Sequence, residues 1–169
     1  ILFIGAMVFV FFQFVTPPLF FNAVETANIT ASSHAGEYRG LEAEYSRVHD
    51  EKQRHIRAML SAIESDNGQK IEDAVGKVHS AGATAAGIRE EAKKLILRAH
   101  PGADPNDTNY IFLSFVINFL PAGLIGLILA AILSASMSST SAELNALAST
   151  TVVDIYKRMV RKNASDRHY

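Results

Sequence analysis

Hydrophobic residues along this chain are concentrated in two stretches that flank a polar middle region. Residues 1–24 and 110–137 carry almost no charged side chains, whereas residues 37–100 carry most of the charge of the chain. An apolar run of about 20 residues is what a helix needs to cross the hydrocarbon core of a bilayer. The pattern therefore predicts an all-α integral membrane protein, with two membrane spans separated by a soluble insert.

The first predicted span covers residues 1–24. Its apolar run ends at Pro17 and Pro18, which cannot continue a helix. The chain begins inside this run without a Met or a basic flank, so we expect it to be the middle portion of a longer protein. Gln13 is the strongly polar side chain of the span, and it either hydrogen-bonds another membrane helix or faces a substrate.

The insert, residues 25–109, has the periodicity of two amphipathic helices. Asp66, Asn67 and Gly68 separate the two helical patterns as a turn. We therefore predict a soluble antiparallel hairpin with helices over about 37–65 and 69–99. The apolar positions recur at spacings of three and four, first at Leu41, Tyr45, Val48, Ile56, Met59 and Ile63, and then at Ile71, Val75, Val78, Ala85, Ile88, Ala92 and Leu95.

Composition narrows the function classes. The formal net charge is -1 and no basic stripe is present, which argues against nucleic acid as a partner. The chain has no cysteine, and no nucleophile and base are paired in a catalytic motif, so we do not expect an enzyme. The histidines of the insert lack the HExxH spacing of a zinc site, and we expect their side chains to be exposed. They are His34, His49, His55, His79 and His100.

The second membrane region begins with an apolar approach segment at residues 110–120. Pro121 then takes the first position of a long helix predicted over 121–158, which would reach roughly 55 Å and must leave the membrane at its C-terminal end. A basic cluster follows, formed by Lys157, Arg158, Arg161 and Lys162. The positive-inside rule places the 159–169 tail in the cytoplasm and the insert outside the cell membrane.

Serine and threonine are dense in the second half of this long helix. Hydroxyl groups at membrane depth need partners, so they indicate either close helix packing or an ion path. Ser134, Ser138 and Ala142 could form a packing face, and the serines could bond back to the carbonyls four residues earlier. The residues alone leave both explanations open.

The stretch LPAGLIGLILAAILSASMSSTSAELNALASTTVVDIYKR, residues 120–158, resembles the signature helix of the sodium:solute symporter family. The upstream GAMVFVFFQFVTPPLFFN is similar to the span that precedes this helix in many bacterial members. Together they cover about a third of the chain, and the hairpin resembles a lineage-specific external insertion. The resemblance implies a fragment of a LeuT-type inverted-repeat transporter that couples solute uptake to sodium (Na+).

The resemblance also implies a ligand set for sodium. The matching positions are the carbonyl of Ala135 and the hydroxyls of Ser138 and Ser139, with the remaining ligands on an unwound helix elsewhere in the full-length protein. Neutral oxygens suit a hard cation that must leave again. A second sodium in some members uses two further hydroxyls; Ser141 matches the first, whereas Ala142 departs from the second.

The partners implied are a small-molecule solute, sodium, the lipid bilayer and the remaining transmembrane helices of a multi-pass protein. The solute is not specified, because its contacts lie mainly on other helices. Two alternatives stay open. One is a membrane sensor built on the same fold, and the other is a non-transporting scaffold whose external hairpin binds a partner.

Overall fold

A computed structural model describes residues 2–161 and 165, and this part of the chain contains helices and no strand. It divides into two compact units, Ile1–Asn118 and Phe119–Tyr169. The all-α prediction is confirmed at this level. The elements are α1 (Leu2–Phe14), α2 (Ala23–Thr30), α3 (Ala35–Glu64), α4 (Gly68–Ala99), α5 (Thr108–Phe119), α6 (Ala122–Thr150) and a π-helical segment, Thr151–Val160.

The predicted span 1–24 is helical only as far as Phe14. Helix α1 is therefore about 20 Å long. The chain then turns through the two prolines, and α2 begins at Ala23, inside the range predicted for the span. Asn22 starts α2 because its side-chain oxygen accepts hydrogen bonds from the amides of Val24, at 3.1 Å, and Glu25, at 3.4 Å.

Helices α3 and α4 are joined by a three-residue turn. Asp66 adopts a φ of 48°, a left-handed conformation that Asp tolerates better than most residues. The side chain of Asn67 caps α4 by accepting from the amide of Lys70 at 3.1 Å. Near the other end of the pair, Arg98 Nη2 lies 3.2 Å from Glu37 Oε1. The two helices therefore run in opposite directions along one another.

The core lies at the base of α3 and α4, where the turn after α1 and helix α2 cover the pair. Farther along, no third element of the described chain covers the two helices. Ile63 and Val75 are consequently 51% and 37% exposed, although their spacing had predicted core positions. The buried cluster consists of Leu19, Phe20, Ile29, Tyr38, Tyr45, Val48, Ile88, Ala92, Leu95, Ile96 and Ala103.

A second, aromatic cluster joins α1 to α5. Phe11 and Phe115 meet edge to face with ring centroids 5.0 Å apart, and Phe12 meets Phe21 in the same way at 5.5 Å. Edge-to-face pairs of this kind add about 0.5–1.5 kcal/mol to the burial of the rings. The approach segment predicted at 110–120 is thus a helix of its own, packed on the first apolar helix.

Asp107 connects three parts of the first unit. Its side chain is 5% exposed, and Oδ2 accepts from the backbone amide of Phe21 at 2.8 Å and from Arg89 Nη2 at 2.7 Å. Arg89 also donates to the carbonyl of Pro18 at 3.4 Å, and its guanidinium lies over the Phe21 ring at 5.3 Å. These contacts, which we call the Asp107 clasp, hold the turn after α1 to α4 and to the start of α5.

The described part of the second unit consists mainly of one long helix. Pro121 is its N-cap rather than its first helical residue, so the predicted start shifts by one position. The α-helical pattern ends at Thr150 and π-helical turns continue to Val160, past the predicted end at 158. Ala122–Val160 is long and apolar enough to cross a membrane, and no residue of its most apolar stretch is buried. Lys162 and most of the 159–169 tail lie outside the described residues.

The Asp107 clasp generates a stability prediction. Asp107→Ala leaves the Arg89 charge and the Phe21 amide without their acceptor, so we expect the free energy of local unfolding to fall by about 3 kcal/mol. Asp73→Ala is the matched control, because its ion pair with Lys77 is exposed and worth about 0.5 kcal/mol. Amide hydrogen exchange at Phe21 and along α4 measures the free energy of local unfolding in both variants. Equal losses in the two variants would contradict the special role of Asp107.

Candidate functional site

The proposed ligand residues lie within the unbroken α-helical part of α6. In this geometry the amide of Ser139 bonds to the carbonyl of Ala135, and the carbonyl oxygen keeps a second lone pair. Each residue of an α-helix is rotated by about 100° from the one before it. Viewed down the axis, Ser138 therefore lies about 60° to one side of Ala135, and Ser139 lies about 40° to the other side. One helix therefore brings three neutral oxygens to a single face.

The hydroxyls of this face are available. Among the described residues, neither Ser138 nor Ser139 has a hydrogen-bond partner for its side chain, and both are exposed. Back-bonding, the structural alternative for such residues, is instead seen at Thr140, whose Oγ1 donates to the carbonyl of Ser136 at 3.0 Å. The hydroxyl pair can thus accept a ligand without first breaking a bond within the described chain.

The two further candidates lie apart from this face. Ser141 follows Ala135 by six residues. Its side chain therefore points about 120° away from that of Ala135 and lies about 9 Å farther along the helix axis. Gln13, on α1, donates from Nε2 to the carbonyl of Phe9 at 3.1 Å within its own helix. No helix-to-helix hydrogen bond of Gln13 is present among the described residues.

His49 was expected to be exposed, and that expectation is wrong. Its side chain is 3% exposed, and Nε2 donates to the carbonyl of Phe12 at 2.9 Å, near the end of α1. Because Nε2 carries the hydrogen, Nδ1 can accept from Gln53 Nε2 at 3.2 Å and from Thr16 Oγ1 at 3.4 Å. His49 follows Tyr45 by four residues on the buried face of α3, and this spacing was the signal in the sequence.

A second polar contact ties α2 to the end of α4. His100 Nδ1 lies 3.0 Å from Glu25 Oε2, and Asn28 Nδ2 donates to the same oxygen at 3.4 Å. The hydrogen bond from His100 lowers the pKa of Glu25 below its usual 4.5, although burial of the carboxylate works in the opposite direction. The carboxylate therefore stays charged in its largely buried position.

The sequence of this chain is similar to those of known proteins. The sequence profile of the sodium:solute symporter family matches residues 79–169, just over half of the chain. The match contains all of α5, α6 and the π-helical segment. It also includes most of α4, from residue 79 onward, which the sequence resemblance had left outside the family pattern. The upstream α1 region is not included.

Individual relatives match shorter segments of the chain. The chain is 37% identical over 68 residues to mouse solute carrier family 5 member 4A, which is 40% of this chain and 10% of that protein. It is 39% identical over 61 residues to the sodium/sialic acid symporter NanT of Aliivibrio fischeri, which is 36% of this chain and 12% of that protein. The chain thus spans about a tenth of the length of these relatives. No solved structure matches it.

The contact between Glu25 and His100 predicts a pH dependence. Because the folded pKa of Glu25 is lowered, its stabilisation is complete above about pH 4.5 and is lost as the pH falls through the folded value. The thermal midpoint of the native protein should therefore fall more steeply than that of Glu25→Gln between about pH 5 and about pH 3. Glu44→Gln, on the exposed surface of α3, is the control and should follow the native protein. Parallel curves for the native protein and Glu25→Gln would contradict the prediction.

Proposed function

Because this chain belongs to the sodium:solute symporter family, we propose that its full-length protein imports a small solute together with sodium. The observation that carries the proposal is the hydroxyl pair of Ser138 and Ser139 beside the carbonyl of Ala135, on an apolar helix inside the family match. The fold in which this helix operates is a LeuT-type inverted repeat. Residues 2–161 provide part of that fold.

In this proposal Ala135, Ser138 and Ser139 provide about half of the sodium ligands, and a helix elsewhere in the full-length protein provides the rest. A site divided between two helices is complete only when the helices approach each other. Sodium binding can therefore stabilise one arrangement of the helix bundle, which is the requirement for coupling. Ser141 lies too far around the helix to join this ion, and it remains a candidate ligand for a second one.

The energetics are sufficient for accumulation of the solute. One charge crossing about 100 mV supplies about 2.3 kcal/mol, and a tenfold sodium gradient supplies about 1.4 kcal/mol. The sum corresponds to a concentration ratio of several hundredfold for a neutral solute. A single sodium ion per cycle is therefore enough, and the second site is not needed to account for uptake.

We place α6 across the cell membrane with its basic end in the cytoplasm, in accord with the position of Lys157 and Arg158. Helix α1 is then the outer part of the preceding span, and α2 to α4 lie outside the cell. The apolar surface of α6, which is exposed along its length in the described chain, would face lipid and the other helices of the transporter.

Replacement of the two serines tests the proposed site. In the full-length protein, Ser138→Ala with Ser139→Ala should raise the sodium concentration for half-maximal uptake by about tenfold or more, equivalent to about 1.4 kcal/mol. The loss is expected because alanine removes both hydroxyl ligands and leaves the helix intact. Uptake of a solute panel that includes sialic acid, the solute named for the Aliivibrio relative, is measured in vesicles against sodium concentration.

Ser136→Ala is the control on the same helix, since its side chain points about 100° away from the direction of Ala135 and about 160° away from that of Ser138. It should leave the sodium dependence unchanged. Unaltered sodium dependence in the double variant would exclude the serine pair as ligands, and an equal loss in Ser136→Ala would attribute the effect to helix packing.

A further inference from the structure

A cavity of about 470 Å³ lies where α1, α3, α4 and α5 meet. Its volume is within the range of ligand cavities in proteins. Gly5, Val8 and Phe12 form its wall on α1, and Ile111 and Phe112 form its wall on α5. The cavity is open to the surroundings on one side, because Phe112 is itself 46% exposed.

Two cationic side chains border this otherwise apolar space. Arg89 already pairs with Asp107, so its charge is largely compensated. Lys52 lies on α3 and has no acidic partner among the described residues, and burial lowers the pKa of its ammonium group. The described lining contains no Asp or Glu. Polar groups that could assist an anion are the side chains of Gln13 and Thr108.

An occupant of this cavity must therefore be apolar over most of its length and negatively charged at one end. A neutral membrane helix packed here would leave the Lys52 ammonium in a still drier environment without compensation, which costs several kcal/mol. An anion at Lys52 removes that cost. The apolar side chains of α1 continue beyond the cavity, and Phe9 is 67% exposed, so there is further surface for a hydrocarbon chain.

We propose that the cavity binds an anionic phospholipid, with its phosphate at Lys52 and its acyl chains along α1 and α5. The proposal depends on the membrane placement proposed above for α1. In that placement the Lys52 ammonium, which reaches the cavity from α3, is assigned to the level of the lipid headgroups, where anionic lipids attract a cation. The lipid would then bridge the external helices and the membrane.

The test uses the full-length protein in bilayers that contain equal amounts of phosphatidylglycerol and phosphatidylcholine. The protein is released into detergent, and the retained lipids are identified by native mass spectrometry. We expect phosphatidylglycerol to be enriched over phosphatidylcholine. Lys52→Gln should reduce this enrichment about tenfold, because it removes the charge but keeps most of the side-chain length. Lys77→Gln is the matched control, since Lys77 is an exposed lysine of α4 paired with Asp73.

Gly5→Leu provides a second variant that is independent of charge. A Cβ at this position meets nothing within 4 Å, and leucine favours a helix more than glycine does, so α1 should fold normally. Its side chain takes up space in the cavity, and we expect the retained phosphatidylglycerol to fall as in Lys52→Gln.

Three outcomes would overturn the proposal. The native protein could show no preference for phosphatidylglycerol, or Lys52→Gln and Lys77→Gln could reduce binding equally, which would indicate general surface attraction. Retention unchanged in both Lys52→Gln and Gly5→Leu would indicate that another helix of the transporter fills the cavity. Sodium-driven uptake is measured on the same preparations, so a failure of the proposed transport function is read separately from a failure of lipid binding.

Discussion

The end of α1 depends on hydrogen-bonding groups that the helix itself cannot supply. The helix ends at Phe14, ahead of Pro17 and Pro18, so the carbonyls at its end lack the amide donors that a continuing helix would offer. His49 of α3 takes the place of one such donor at the carbonyl of Phe12, and Arg89 of α4 donates to the carbonyl of Pro18 in the turn that follows the helix. The Asp107 clasp completes the junction. Helices α3 and α4 are thereby fixed to the end of α1, and a movement of α1 would carry them with it.

Periodicity and turn residues together carry the information in the sequence about the helices of the polar region. The ends of α3 and α4 lie within two residues of the predicted ends, because an apolar face every three or four positions and the Asp66–Gly68 turn both specify them. The junction at the base could not be predicted in the same way. Asp107 and Arg89 are 18 positions apart, and nothing in the local pattern of either residue shows that tertiary packing will bring them together.

The candidate sodium face could be predicted only in part, for a different physical reason. The spacing of Ala135, Ser138 and Ser139 fixes their relation to one another, since it follows from helix geometry alone. Ion coordination needs further oxygens at defined distances, and these come from contacts between distant segments. In the described chain no residue of α6 is buried. Its sequence therefore specifies which ligand groups the helix can offer, but not which other segments of the full-length protein it contacts.

The choice of neutral oxygens for this face has an energetic reason. If the protein is a symporter, the site must empty in every cycle. An unpaired carboxylate left in a low-dielectric environment costs several kcal/mol, whereas an unpaired hydroxyl costs about 1–3 kcal/mol and can recover most of this by bonding to a carbonyl of its own helix. Thr140 already does so in α6. Ser138 and Ser139 do not make this bond in the described chain, but in the proposed site both could make it when sodium leaves, so the empty helix would not be strongly penalised and the ion would not be held too tightly to be released.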